Sequence, residues 1–112
     1  MIPGDLYYAD VPFIGRLGSK VRPVVVIQIP SSETIRVLAS QSHQNLNLEF
    51  IHSIDFNALK YYRIRCAGLG GVSYFYGQNL RNLTPNRFKR MLGRIARDDF
   101  AIILKHIADL HK

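Results

Sequence analysis

The stretch that decides the fold is Arg22-Pro23-Val24-Val25-Val26-Ile27-Gln28, in which four apolar residues directly follow a proline. A continuous apolar run rich in β-branched residues predicts a strand that is buried on both faces. Because proline has no N–H to donate, Pro23 is expected at the entrance of the strand, where pairing begins. Arg22 would then lie at the mouth of the strand, at the end of a mobile, glycine-bearing basic loop over residues 15–21. A guanidinium on a rigid strand beside such a loop is suited to binding a phosphate.

The length and the apolar content predict one globular domain over residues 1–112, with a single core. The one cysteine, Cys66, can form no internal disulfide, which favours a reducing compartment. Its thiol is either reactive or a small buried apolar group. No apolar run approaches the roughly 20 residues that a membrane helix needs, and residues 1–5 do not resemble a signal peptide. We therefore expect a cytoplasmic protein that makes no membrane contact.

Charge is the most informative property of the composition. Fifteen Lys and Arg residues stand against eight Asp and Glu residues, which gives a formal net charge of +7, and ten of the fifteen are arginines. Arginine is suited to bidentate phosphate contacts and to stacking on bases. The balance suggests a polyanionic partner, either nucleic acid or an acidic protein, although a merely soluble basic protein would also have such a charge.

Short apolar or alternating segments predict several β-strands. They lie at residues 6–11, 24–29, 34–40, 48–52, 61–66 and 72–76. The turn between the second and third strands, Pro30-Ser31-Ser32-Glu33, is only four residues long and predicts a hairpin. Ile35 and Val37 should share one face of the third strand, and the polar residues 41–47 should form an exposed loop.

Near the C-terminus the apolar spacing becomes helical. Thr84-Pro85 is typical of a helix start, and Gly93 is expected to end this short helix. A second helix is expected to begin at Asp98 or Asp99, and its apolar stripe comprises Phe100, Ile103, Ile107 and Leu110. Strands followed by helices predict a small, strongly bent β barrel with helices packed on it. Basic residues crowd the first helix and its exit, as a solvated face or as a surface for an acidic partner: Arg87, Lys89, Arg90, Arg94 and Arg97.

Three pieces of the sequence together resemble the MazF/PemK family of toxin–antitoxin endoribonucleases. They are Gly4-Asp5-Leu6-Tyr7-Tyr8-Ala9-Asp10, the stretch from Gly15 to Gln28, and Asn79-Leu80-Arg81-Asn82-Leu83 followed by Thr84-Pro85-Asn86-Arg87-Phe88. They occur in the family's order and spacing over nearly the whole chain. The resemblance implies a mainly β fold with C-terminal helices, an SH3-like small β barrel of the MazF/PemK/CcdB type, and a homodimer.

The resemblance also implies a reaction, the sequence-selective cleavage of single-stranded mRNA without a metal or another cofactor. The ribose 2′-hydroxyl attacks the adjacent phosphorus and expels the 5′-oxygen, which leaves a 2′,3′-cyclic phosphate. This chemistry needs a base for the 2′-hydroxyl, an acid for the leaving group and a cation for the charge that builds on the phosphoryl oxygens. An acidic cognate antitoxin would bind the same basic surface.

The resemblance assigns roles to individual residues. Arg22 falls on the family's strand-mouth arginine, which stabilises the transition state, and Ser40 falls where the family usually has threonine. Leu17 and Gln78 occupy positions at which the family carries acidic residues, so acid–base work must come from elsewhere. His43, three residues after Ser40, is the best candidate because its pKa lies near the working pH. The remaining expected RNA contacts are Arg16, Lys20, Gln41, Ser42, Tyr76, Gln78 and Arg81.

Two other functions remain open at this point. A barrel of the same fold could hold RNA or an acidic protein partner without catalysing a reaction, or it could act on a protein target such as a topoisomerase. The departures at Leu17 and Gln78 favour a binding module, whereas the intact Arg22-Pro23 strand favours the enzyme.

Overall fold

The structure is a computed structural model that describes residues 1–55 and 71–111. This part of the chain contains six β-strands and one α-helix. The elements are β1 Asp5–Pro12, β2 Ser19–Gln28, β3 Ile35–Gln41, β4 Phe50–Asp55, β5 Val72–Leu83, β6 Phe88–Arg94 and α1 Arg97–Leu110. The strands form one curled antiparallel sheet, a half-barrel, in the order β4-β5-β3-β2-β1-β6. The expected mainly β fold is therefore confirmed.

Strand β2 lies inside the sheet and contributes to two hydrophobic cores. Val24, Val25 and Val26 are fully buried. Val25 belongs to the core beneath α1, together with Leu6 and Leu38 of the neighbouring strands, and we call this the helix-side core. Val24 and Val26 belong to the core on the opposite face, the far core. The prediction of a strand buried on both faces is confirmed.

Strand β2 nevertheless begins earlier than the sequence suggested. It starts at Ser19 because residues 19–25 pair with β1, where Pro23 lies opposite Tyr8. Pairing with β3 begins only at Val24, opposite Ala39. Pro23, which has no N–H to donate, therefore lies within the β1–β2 ladder and directly before the start of the β2–β3 ladder. Arg22 is consequently inside β2 rather than at its mouth, and the basic loop is confined to residues 13–18.

The hairpin of β2 and β3 is confirmed, since the two strands are antiparallel neighbours. Ile35 and Val37 are both buried in the far core, as expected. Strand β4 begins two residues later than expected, and β5 is twelve residues long because its second half also pairs with β3. The expected strand over residues 61–66, which includes Cys66, lies outside the described residues.

The predicted first helix is wrong. Pro85–Arg87 forms a single 3₁₀ turn, and the following residues form strand β6. This strand covers the outer edge of β1, with Tyr7 opposite Met91 and Ala9 opposite Phe88. Backbone pairing and the complete burial of Leu92 outweigh the local helical spacing. The described chain therefore carries one C-terminal helix rather than two.

Helix α1 packs against the helix-side core through the predicted apolar stripe, in which Ile103 and Ile107 are buried. It begins after Ala96, so Asp98 and Asp99 lie in its first turn and are not its cap. Negative charge in a first turn complements the helix dipole. No helix in residues 1–55 or 71–111 has the length and the apolar character required to span a membrane.

Candidate functional site

A cleft lies beside the N-terminal half of β2, with a volume of about 600 Å³. Beyond Val24 and Ala39, β2 no longer pairs with β3. There β2 continues to pair with β1 while β3 continues to pair with β5, and the cleft forms between them. Ser40 lies opposite Phe75 of β5, although Ala39 still lies opposite Val24 of β2. The loops over residues 13–18 and 42–49 also line the cleft, as do Gly71 and the first two residues of β5.

The cleft contains many of the residues that the sequence predicted. All three predicted catalytic residues and four predicted RNA contacts line it: Arg22, Ser40, His43, Arg16, Lys20, Gln41 and Ser42. None of the described residues that line it carries a carboxylate. His43 is the only histidine among the described residues that line the cleft.

Arg22 is half-buried in the cleft. Its Nη1 donates a hydrogen bond to the Ser40 carbonyl at 2.9 Å, which fixes the direction of the guanidinium. Its Nε is buried and has no hydrogen-bond partner among the described residues. Burial lowers the pKa of Arg22, and the nearby positive charge of Arg81 lowers this pKa further. A half-buried cation with a second cation nearby, in a cleft whose described lining carries no carboxylate, favours the binding of an anion.

Ser40 connects the two strands at the floor of the cleft. It is almost fully buried, and its Oγ donates a hydrogen bond to the Pro23 carbonyl at 2.6 Å. The hydroxyl proton is therefore already donated to the backbone. In this arrangement Ser40 holds the end of β3 against β2 and keeps the Ser40 carbonyl in place for Arg22.

The loop over residues 13–18 forms a cationic rim. The Phe13 N–H donates to the Gly18 carbonyl at 3.0 Å and closes the loop, while Gly15 and Gly18 have φ angles of +76° and +100° that favour glycine. The guanidinium carbon of Arg16 lies 4.1 Å from the centre of the Phe13 ring, a cation–π contact. The loop thus holds Arg16 beside the cleft, on the same side as Lys20 of β2.

Arg81 lies across Arg22 from the main cleft. It lines a smaller depression of about 170 Å³, which shares Phe13, Arg22 and Gln41 with the cleft. Its Nη2 donates a hydrogen bond to the Pro12 carbonyl. The predicted contact Arg81 is therefore adjacent to the site but on the other side of the Arg22 guanidinium.

Tyr76 and Gln78 lie outside both depressions. Tyr76 is fully buried, so its ring is not accessible for stacking on a base, and its hydroxyl accepts a hydrogen bond from the Asn45 N–H. The amide group of Gln78 pairs with the Glu49 backbone, with contacts of 3.0 Å to the carbonyl and 2.8 Å to the N–H. The burial of the Tyr76 ring argues against the RNA contact expected of it, whereas Gln78 is exposed and its expected RNA contact stays a prediction.

The cleft is also lined by residues that the sequence analysis did not predict as site residues. Phe13 and Asn45 line it, as does Tyr8 of β1. The Asn45-Leu46-Asn47 pattern is typical of an ordered turn and was a usable signal. Phe13 lies next to a glycine-bearing loop, and nothing in its local sequence distinguishes it from a core aromatic.

Comparison with solved structures identifies the fold. The chain is similar to a MazE–MazF crystal structure from Deinococcus radiodurans, with a TM-score of 0.66 and 14% sequence identity, over 99% of this chain and 95% of that one. It is also similar to an endoribonuclease in complex with its cognate antitoxin from a mycobacterial species, with a TM-score of 0.57 and 13% identity, over 98% and 96% of the two chains. No protein-family model and no curated protein sequence matches the chain. The chain therefore has the MazF-like fold that the sequence resemblance implied.

Proposed function

We propose that this chain is the toxin of a type II toxin–antitoxin pair and that it cleaves single-stranded mRNA without a metal ion. The observation that carries the proposal is the Arg22 guanidinium, which lines a cleft whose described lining has no carboxylate and which lies close enough to Arg81 to feel its positive charge. The partners of the structurally similar proteins, an antitoxin in the mycobacterial complex and MazE in the other, support the same class of function.

Single-stranded RNA fits the chemistry of the cleft. Arginine and lysine side chains supply phosphate contacts, and the aromatic side chains of Tyr8 and Phe13 offer surfaces on which an unpaired base can stack. Backbone amides and the Gln41 side chain provide donors and acceptors for base edges. The 2′-hydroxyl of RNA provides the nucleophile, so the protein has to orient the strand, assist proton transfer and stabilise the developing charge.

In the proposed reaction the 2′-oxygen forms a bond to phosphorus while the bond to the 5′-oxygen breaks. The 2′-hydroxyl loses a proton and the 5′-oxygen gains one, so the products are a 2′,3′-cyclic phosphate and a free 5′-hydroxyl. Arg22 donates hydrogen bonds to the non-bridging oxygens as negative charge builds on them. His43 transfers one of the two protons, and water accepts or supplies the other. Ser40 keeps the Arg22 anchor in position.

The same cationic cleft is the proposed docking surface for an acidic antitoxin. The cationic side chains of Arg16 and Lys20 lie at the rim of the cleft. No described residue that lines the cleft carries a carboxylate that would pair with them. A negatively charged antitoxin segment would compete there with RNA for the same cations. We propose a homodimer that acts in the cytoplasm.

The test is the incubation of the purified protein with a mixed-sequence single-stranded RNA in EDTA. We expect discrete fragments that end in a cyclic phosphate. Arg22→Ala should lower the rate by about 10²- to 10³-fold, because it removes a preorganised donor from the developing charge. Arg36→Ala is the matched control, since Arg36 lies on β3 outside the cleft and contacts the side-chain oxygens of Gln28 and Asn82 at 3.4 Å.

The alternative is a binding module that performs no chemistry, which Leu17 and Gln78 favour because neither can transfer a proton. RNA binding that is weakened by Arg22→Ala but produces no fragments would establish this alternative. Cleavage that persists unchanged in Arg22→Ala would show that the reaction occurs elsewhere and would overturn the proposed site.

A further inference from the structure

One wall of the cleft is the connection between β3 and β4, residues 42–49, which we call the His43 wall. It carries Ser42, His43 and Asn45, all of which line the cleft. Ser42 and His43 are exposed, and no regular element holds them. Yet His43 can serve the proposed reaction only if it is held at a fixed position relative to Arg22.

A buried tyrosine hydroxyl holds the middle of this wall. The Tyr76 ring is fully buried in β5, and its hydroxyl oxygen accepts the Asn45 N–H at 2.5 Å. The ring also packs edge-on against Phe50, the first residue of β4, with 6.1 Å between ring centres. Because the ring is locked by packing, its hydroxyl is a fixed point for the loop.

Asn45 transmits this fixed position to the rest of the wall. Its side-chain oxygen accepts the Asn47 N–H at 3.0 Å, and its carbonyl accepts the Leu48 N–H at 3.1 Å. These bonds define a compact turn. His43 lies two residues before Asn45, so the orientation of the turn limits where the imidazole can lie.

The far end of the wall is held separately. The Glu49 backbone pairs with the Gln78 amide of β5, and the Glu49 carboxylate lies 2.9 Å from Nε2 of His106 in α1. The near end follows directly from Gln41, the last residue of β3. The Tyr76 bond lies between these two anchors and holds Asn45, so His43 lies between two held positions, Gln41 and Asn45.

We infer that Tyr76 is a positioning residue that sets the location of His43 in the cleft through the Asn45 turn. Tyr76 cannot contact RNA because it is fully buried, so it acts on the site only through the wall. The inference rests on the proposed function for the role of His43, but the positioning itself is a property of the protein without RNA.

The test compares Tyr76→Phe with Tyr74→Phe. Tyr74 is on the same strand and packs against the same Phe50 ring at 5.9 Å, whereas the Asn45 hydrogen bond belongs to Tyr76 alone. Both changes remove one hydroxyl and keep the ring. We expect Tyr76→Phe to accelerate amide hydrogen exchange at Asn45, to shift the imidazole NMR signals of His43, and to lower kcat by about tenfold with little change in KM. Tyr74→Phe should leave the Asn45 exchange rate, the His43 signals, kcat and KM unchanged.

The outcomes separate this inference from the proposed function. If the parent protein does not cleave RNA, the proposed function fails, while the Asn45 exchange rate and the His43 signals still decide whether Tyr76 positions the wall. Unchanged exchange at Asn45 or unchanged His43 signals in Tyr76→Phe would overturn the inference. Exchange that accelerates equally at Val25 in the core would indicate general destabilisation and would overturn it as well.

Discussion

Among the described arginines whose side chains donate a hydrogen bond, one group pairs with a carboxylate and a second group donates to a neutral oxygen. Outside the cleft, Arg94 lies 2.8 Å from Asp5 and Arg87 lies 3.1 Å from Asp10, and these ion pairs join β6 and its preceding turn to β1. In the cleft, Arg22 donates instead to a neutral carbonyl. The second group is oriented without being neutralised, which leaves its charge for a ligand.

Asp5 provides a test of the first group. The carboxylate is almost fully buried, and it accepts the Ile2 N–H at 2.9 Å in addition to the Arg94 contact. Asp5→Asn should lower the free energy of unfolding by about 2–3 kcal/mol, less than for a fully buried pair because Arg94 is partly exposed. Urea denaturation measures this change. Glu33→Gln, an exposed turn position, should change the value by less than about 0.5 kcal/mol, and an equal loss in both variants would contradict the assignment.

Asp10 makes the stability depend on pH in the acid range. A hydrogen bond from Ser19 lowers the pKa of Asp10, and the charge of Arg87 contributes in the same direction. A carboxylate whose pKa is lower in the folded state stabilises the protein above its unfolded pKa, and this contribution is lost as the pH falls through the folded pKa. In Asp10→Asn the Tm should therefore fall less steeply than in the parent from about pH 5 to about pH 2. Ser19→Ala should reproduce part of this effect, and parallel Tm profiles would contradict the explanation.

Strands β2 and β6 show when the local sequence is sufficient to predict an element and when it is not. Strand β2 was predictable because its apolar run is continuous and rich in β-branched residues, which favour a strand buried on both faces. Strand β6 was not, because residues at 88, 91 and 92 fit either a helical turn or a short strand. Pairing with β1, which is distant in sequence, decides between them. The site divides in the same way: Arg22 and Ser40 could be placed from their strands, whereas the burial of Tyr76 depends on the packing of β4 and β5.

The contact between β5 and α1 depends on a glycine. A Cβ at position 77 would overlap Cδ1 of Leu110 and lie 3.0 Å from Cδ1 of Ile51. Gly77→Ala should therefore lower the free energy of unfolding by about 1–3 kcal/mol. In the double variant with Leu110→Ala the added methyl group has space, so the combined loss should be smaller than the sum by at least about 0.5 kcal/mol. Thermal or urea unfolding of the four proteins measures this coupling, and strict additivity would contradict the contact.

At the scale of the whole molecule, the net charge of +7 has to be separated from the charge of the cleft. A diffuse positive charge and a localised phosphate site both attract RNA, but only the second depends on particular residues. Binding affinity as a function of salt concentration distinguishes the two, because each phosphate contact releases counterions.

Lys20→Ala should reduce the slope of log K against log salt by about 0.7, the value for one phosphate contact on a single strand. Lys105→Ala removes the same charge from α1, outside the cleft lining, and should leave the slope nearly unchanged. Fluorescence anisotropy with a 2′-deoxy oligonucleotide measures binding without cleavage. Equal slopes for the two variants would mean that RNA binds to the overall charge and not to the cleft.

The side chains that form the site are held by main-chain carbonyls, and this affects which substitutions the site tolerates. Arg22 is held by the carbonyl of residue 40, Arg81 by the carbonyl of residue 12, and the Ser40 hydroxyl by the carbonyl of residue 23. A main-chain carbonyl is present whatever amino acid occupies the position. Substitutions at positions 12 and 23 can therefore leave the geometry of the guanidinium groups intact, provided that the backbone path and the Ser40 hydroxyl are kept. A site that is oriented by main-chain carbonyls therefore depends on the path of the backbone more than on the side chains that surround it.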